Sequence, residues 1–303
     1  MPPIPSLSEV TEPDRPRRPL RRFRAASIRV TPPYDLRRTL ECGQVFRWTL
    51  DGDDAVGIFQ GRRWTVRQDG DLLRAGRDGV SSGRRHLAPL WHHLAADVPL
   101  RGIEGALARD PVLRRILPHT RGIAIMRQDP WECLISFVIS AFNNIPKIRL
   151  SVEHLCRRFG EGLPGEGYAF PTAARLADAR LPALRACILG YRAPYVRAVA
   201  RAVADGGVEL SRLASLPYDE ARGVLLALPG VGEKVADCVL LFSLGHHEAF
   251  PVDVWVQRGV QRAYFRSRRL TPGAIGSWAR DRFGPLAGYA NQHLFLAARS
   301  GSM

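Results

Sequence analysis

The hydrophobic pattern of this chain changes period once, and that change bounds the fold. From about residue 25 to 76 it reads as short strands at 27–30, 44–50, 55–59, 63–67 and 72–74, rich in β-branched and aromatic residues. Asp51-Gly52 and Asp69-Gly70 fall between strands, where tight turns are expected. Two helical stretches follow at 87–95 and 103–110, and beyond Arg121 every periodic segment is helical. Asp129-Pro130 has the form of an N-cap followed by Pro at the first helical position. It opens a segment, 131–142, that is apolar on nearly all sides and is therefore expected to be a central, buried helix. Further helices are expected at 148–159, 172–177, 182–187, 193–205, 218–226, 232–243, 254–264 and 286–299. The class is α+β, in three parts. Residues 1–24, with six prolines and six arginines, read as a disordered basic arm. Residues 25–121 form a small α+β domain, and 122–303 an all-helical one.

Charge narrows the partner. A formal net charge of +15 over 303 residues favours a polyanion, nucleic acid before an anionic membrane surface. No apolar run approaches the roughly 18 residues of a membrane span. Pro2, Pro3 and Pro5 stand where a secretion signal would carry its apolar region. We expect a protein without membrane attachment, in the cytoplasm or nucleoid of a bacterium or the nucleus of a eukaryote. The five cysteines (42, 133, 156, 187 and 238) are odd in number and scattered, so neither disulfides nor a zinc or iron–sulfur site is expected.

Among 44 basic residues only Lys147 and Lys234 are lysines; the other 42 are arginines. Guanidinium stays protonated, whereas a lysine amine can be a nucleophile. Lys234 lies in residues 228–237, Leu-Pro-Gly-Val-Gly-Glu-Lys-Val-Ala-Asp. Pro229 and Gly230 end one helix and Gly232 turns the chain into the next. Such a turn leaves amide N–H groups facing outward at a helix N-terminus, where a phosphate can bind. A bare Pro-Gly-x-Gly is more often an ordinary turn, but the ten-residue run has the form of a helix-hairpin-helix DNA clamp. Asp253, nineteen residues beyond Lys234, precedes a helix; alone such an Asp is usually just an N-cap, but the spacing allows one helix and a return loop that could bring it beside Lys234. The pair suits base excision. A carboxylate stabilises positive charge developing at C1′ of the sugar, and a neutral amine attacks that carbon.

Three further segments sharpen this reading: 43–48 (Gly-Gln-Val-Phe-Arg-Trp), Arg127-Gln128-Asp129-Pro130 with Asn143-Asn144-Ile145, and Gly190-Tyr191-Arg192-Ala193. Together with the hairpin and 284–295 they resemble 8-oxoguanine DNA glycosylase/AP lyases from about residue 25 to the end. The resemblance implies a TATA-binding-protein-like N-terminal domain packed on a helix-hairpin-helix glycosylase domain, acting as a monomer on double-stranded damaged DNA. It assigns Lys234 and Asp253 to catalysis and Gly43, Cys238, Asn291 and Phe295 to base recognition. DNA binding falls to Phe142, Asn143, Asn144, Lys147, Tyr191, Arg192, Gly230, Val231, Gly232 and Trp255. Gly43 would offer its carbonyl to the N7–H of oxidised guanine, Phe295 and Cys238 would sandwich the base, Tyr191 would wedge the stack, and Arg192 would meet the estranged cytosine. No cofactor is implied beyond a monovalent or divalent cation at the hairpin when DNA is bound. The chain departs from the family pattern at three places. Phe142 replaces an Asn beside the estranged base, Asn291 a Gln on the lesion's Watson–Crick face, and Trp255 a phosphate-binding His. Two other functions remain open on the residues alone: a monofunctional alkylpurine glycosylase and a non-catalytic DNA-binding module.

Overall fold

The computed structural model describes residues 26–76, 87–164, 167–266 and 268–303; the basic arm expected at 1–24 lies outside them. The N-terminal strands are β1 (Ala26–Arg29), β2 (Trp48–Asp51), β3 (Asp54–Phe59), β4 (Arg62–Asp69) and β5 (Leu72–Gly76). They form one antiparallel sheet in the order β1-β5-β4-β3-β2. Trp48 pairs with Gly57, whose missing Cβ leaves room for the indole: a methyl there would stand 2.2 Å from the ring. Trp48 is buried, and its Nε1–H donates to His93 Nε2 at 3.1 Å. His93 is thereby fixed as the tautomer that donates from Nδ1 to the Arg127 carbonyl at 2.8 Å. Burial lowers its pKa to about 4, so it stays neutral.

The strand expected at 44–50 is shorter than its pattern, covering only Trp48–Asp51. Residues before it are pulled inward by side-chain hydrogen bonds rather than by a ladder. A short helix, α1 (Leu36–Glu41), precedes β2 and carries an Asp35 cap that its six-residue length concealed. Next come α2 (Ala88–His93), α3 (Leu100–Leu107) and α4 (Pro111–Thr120). The helix expected at 103–110 sits three residues earlier, because Asp110 is the cap of α4 and accepts from Val112 and Leu113. Pro118 inside α4 hid that helix from a periodicity reading.

The helical part centres on α5 (Pro130–Ser140), capped by Asp129 and buried continuously from Cys133 to Ser140. Around it lie α6 (Ile145–Phe159), α7 (Ala173–Ala177), α8 (Leu181–Leu184), α9 (Ala193–Ala204), α10 (Tyr218–Leu226), α11 (Glu233–Ser243), α12 (Val254–Tyr264), α13 (Pro272–Phe283) and α14 (Ala287–Ser300). The glycines at 273 and 276 lower helix propensity enough that α13 shows no sequence signature beyond its Thr271-Pro272 start. The helix expected at 182–187 ends at Leu184 and continues as a wide turn over Arg185–Leu189, with Ile188 at φ 61°. Packed aromatic rings join the two parts of the chain. Phe46 meets Phe137 edge-on at 5.4 Å, and Phe137 stacks on Phe242 at 5.5 Å. No helix of the described residues is long and apolar enough to cross a membrane.

Candidate active site

The hairpin between α10 and α11 is built by its apolar residues and opened by its glycines. Leu228 and Val231 are buried, and the Val231 amide closes the turn on the Leu228 carbonyl at 3.1 Å. Gly230 adopts φ 79°, and a Cβ there would lie 2.5 Å from Tyr195 Cγ on α9. Gly232 caps α11 without a side chain. Among the described residues no acceptor within the chain meets the amides of Gly230 and Gly232. They remain available to a phosphate oxygen. Arg222 fixes the helices behind the turn, reaching Asp237 at 3.0 Å and Glu233 at 3.4 Å. Gly230→Ala meets both the left-handed φ and the Tyr195 ring, so we expect about tenfold weaker duplex binding with helical content retained. Fluorescence anisotropy and circular dichroism check this.

Lys234 lies in the first turn of α11, half-buried. Its Nζ donates to Ser140 Oγ at 2.8 Å and stands 4.9 Å from the centre of the Phe137 ring. Asp253 caps α12, accepting from the Val256 amide at 2.8 Å. Burial raises the Asp253 carboxyl above the usual carboxylate range, opposed by the cap N–H groups and by the Lys234 charge. Both side chains line one cleft of about 840 Å³. The lysine's hydrogen bond goes to Ser140 rather than to the carboxylate.

Gly43, Phe295, Cys238 and Asn291 line the same cleft. Gly43 has φ 79°, and a Cβ there would touch the Phe295 ring at 3.4 Å and Ile145 at 3.3 Å. The positive φ favours glycine here, and it brings this backbone close to that ring. Its neighbour Gln44 holds it in place. The fully buried Gln44 amide donates to the Thr39 and Ala124 carbonyls, both at 2.8 Å, and accepts from the Met126 amide at 2.9 Å. Gln128 Nε2 donates to the Gln44 carbonyl at 2.7 Å, and Arg47 pairs with Glu132 on α5 at 3.0 Å. The segments 43–48 and 127–130, distant in sequence, are thus one brace. Gln44→Leu would orphan these buried groups, so we expect a loss of about 2–4 kcal/mol in denaturant-measured stability. Cys238 is buried on α11, with its thiol pushed up to about 12 by desolvation, and acts as apolar surface.

The rim is formed by two segments that meet. Phe142 is 98% exposed at φ 48°, just beyond the end of α5 rather than within it as the apolar run suggested. Tyr191 is 54% exposed and donates through its hydroxyl to the Ala141 carbonyl at 3.1 Å. Arg192 is buried. Its Nε and Nη2 hold the Ala141 carbonyl at 2.7 and 2.5 Å, and Nη2 also reaches the Phe142 carbonyl at 2.9 Å. Asn143 donates to the Ile139 carbonyl at 3.1 Å, and Asn144 caps α6 by accepting from the Lys147 amide at 3.0 Å. Phe142, Asn143, Asn144, Gly230, Gly232 and Trp255 line the cleft, whereas Lys147, Val231, Tyr191 and Arg192 stand outside its lining. Sequence reasoning missed Ser140 and Phe137, which hold the lysine. The signal for Ser140 was only a polar residue at the end of a largely apolar helix. Beyond Gln257, shared with the cleft, α12 leads into a groove of about 1460 Å³ lined by Arg115, Arg258, Arg262, Arg266, Arg268 and Arg269.

Comparison with known proteins agrees with this geometry. Residues 27–134 match the family model of the 8-oxoguanine DNA glycosylase N-terminal domain, and 135–278 that of the HhH-GPD superfamily of base excision DNA repair proteins. The N-glycosylase/DNA lyase OGG1 of Arabidopsis thaliana is 33% identical over 281 residues, covering 86% of this chain and 76% of that protein. A probable N-glycosylase/DNA lyase of Methanothermobacter thermautotrophicus is 34% identical over 64% of this chain and 69% of its own length. The 8-oxoguanine glycosylase/lyase of Clostridium acetobutylicum, solved with double-stranded DNA containing cytosine opposite 8-oxoguanine, superposes with a TM-score of 0.87 at 30% identity. That match covers 93% of this chain and 97% of the other. The two family models span residues 27–278 between them, and the chain belongs to the 8-oxoguanine DNA glycosylase family of bifunctional N-glycosylase/DNA lyases in base excision repair.

Proposed function

We propose that this enzyme removes 8-oxoguanine paired with cytosine from duplex DNA and then cleaves the strand through a Schiff base on Lys234. The observation that carries the reading is the shared cleft, which Lys234, Asp253, Gly43 and Phe295 all line. The target nucleotide leaves the stack, at an unstacking cost of a few kcal/mol. Phe142 and Tyr191 on the rim fill the gap, and the amides of Gly230 and Gly232 hold a phosphate; a cation, if bound, would be held by the hairpin backbone and would supply positive charge for that phosphate. Arg192 Nη1 makes no hydrogen bond among the described residues, so its two N–H groups remain for cytosine. The arginine-lined groove beyond Gln257 supports a duplex running along α12.

In the reaction the C1′–N9 bond breaks, its electron pair leaves with the base, and the base takes up a proton. The Asp253 carboxylate offsets the positive charge that develops on the sugar. The Lys234 amine bonds to C1′. Opening of the ring converts this to an imine with O4′ leaving as a hydroxyl. Loss of a C2′ proton then expels the 3′ phosphate. For attack the amine must be neutral, and Ser140 Oγ is positioned to hold it by accepting its hydrogen. Single-turnover assays on duplexes with 8-oxoguanine opposite each of the four bases test the substrate. Release fastest opposite cytosine, with strand cleavage following, is expected; release of alkylated purines alone, without cleavage, would contradict the proposal.

A further inference from the structure

The face of α14 that lines the cleft carries Asn291, Gln292, Phe295 and Arg299. At about 100° per residue, Asn291 and Gln292 flank Phe295 on either side of one narrow stripe. A base stacked on Phe295 would therefore lie between two carboxamides. Their hydrogen bonds differ. Asn291 Nδ2 donates to the Pro251 carbonyl at 2.7 Å. A carbonyl can only accept, so this contact fixes which way the Asn291 amide points. Its Oδ1 must then face Gln292, and it accepts from Gln292 Nε2 at 3.4 Å. That contact orients the Gln292 amide in turn, with its oxygen directed away from Asn291, but holds it only weakly. Gln292 is 3% exposed, and its Oε1 is buried without any hydrogen-bond partner. Leaving a buried acceptor unsatisfied is costly, and native proteins leave few such atoms without a purpose.

We propose that Gln292 is the residue that reads the Watson–Crick edge of the flipped base, and that Asn291 instead positions the loop carrying Asp253. This rests on the 8-oxoguanine reading and deepens it. A guanine-type edge presents N1–H and the N2 amino group side by side, two donors for one waiting acceptor. An adenine-type edge presents a bare N1, which would face Oε1 lone pair to lone pair. The long 3.4 Å contact to Asn291 is weak, and the terminal torsion of Gln is broad, so the amide can turn to the base as it enters. Asn291 is committed elsewhere: the Pro251 carbonyl it holds lies two residues before Asp253.

Gln292→Met keeps the length of the side chain and removes the acceptor, while Gln292→Glu keeps an acceptor. Single-turnover excision is measured on duplexes carrying 8-oxoguanine or 8-oxoadenine opposite cytosine, beside borohydride trapping at a preformed abasic site. Gln292→Met should excise 8-oxoguanine about 10–100-fold more slowly. It should lose the same factor in preference over 8-oxoadenine and trap the abasic site as wild type does. Gln292→Glu should retain more excision than Gln292→Met. Excision of 8-oxoguanine by Gln292→Met within about twofold of wild type would overturn the assignment. So would a loss of trapping in step with excision, since that marks a packing role. Failure of the wild type to excise 8-oxoguanine would overturn the substrate reading itself, and is seen without any variant.

Discussion

Lys234→Gln is expected to bind a damaged duplex, yet to give no borohydride-trapped adduct and to release base on the order of 10⁴-fold more slowly or less. The structure separates the two effects. On the proposed reading, affinity comes from the hairpin amides and the arginines, which the substitution leaves in place. The Gln side chain can still meet Ser140 Oγ, which Lys234 Nζ reaches at 2.8 Å, so the first turn of α11 keeps its anchor. What disappears is the only amine among the cleft's lining residues, the group able to form an imine with C1′ that borohydride traps. Equal losses in binding and trapping would mean that the lysine serves as a phosphate contact instead.

The second large effect belongs to Asp253. Asn caps a helix as well as Asp, so Asp253→Asn should retain the 2.8 Å contact to the Val256 amide and with it the start of α12. Excision should nevertheless fall about 10²–10³-fold, the usual cost of removing a group aimed at developing charge. Stability should move the other way. The carboxyl is half-buried and its folded-state pKa is raised. The folded protein thus binds the proton more tightly than the unfolded chain does. The buried charge destabilises the fold above the raised pKa, and the effect is absent below the ordinary value of 3.8. Thermal melts of Asp253→Asn should therefore equal or exceed wild type at pH 7, with that advantage shrinking as pH falls towards 4. A variant that is both less stable at pH 7 and fully active would show that Asp253 is only a cap.

The chemistry of this site was more legible in the sequence than its support. Lys234 stands out because arginine serves at nearly every other basic position, and the hairpin because 228–237 is a contiguous run. Asp253 and Phe295 follow from resemblance rather than from pattern. What pattern could not show is how the site is held. Gln44 sits in a stretch that alternates like a strand, yet its side chain turns inward to Thr39, Ala124 and Met126. Ser140 ends an apolar helix and gives no hint that it meets a lysine. Helices α4 and α13 were hidden by a proline and by glycines, because local propensity is overridden there by packing against α14. The Asn291–Gln292 pair shows the same limit at finer scale. The sequence marks Asn291 as the shortened family residue, and only the hydrogen-bond chain from Pro251 transfers the reading role to its neighbour.

The central claim is that Lys234 forms the covalent intermediate within this cleft. With two lysines in the chain, peptide mapping of the wild-type adduct trapped by borohydride on an 8-oxoguanine:cytosine duplex tests it directly. The account predicts the DNA remnant on the peptide that contains Lys234. A remnant on Lys147 or on the N-terminal amine would contradict it.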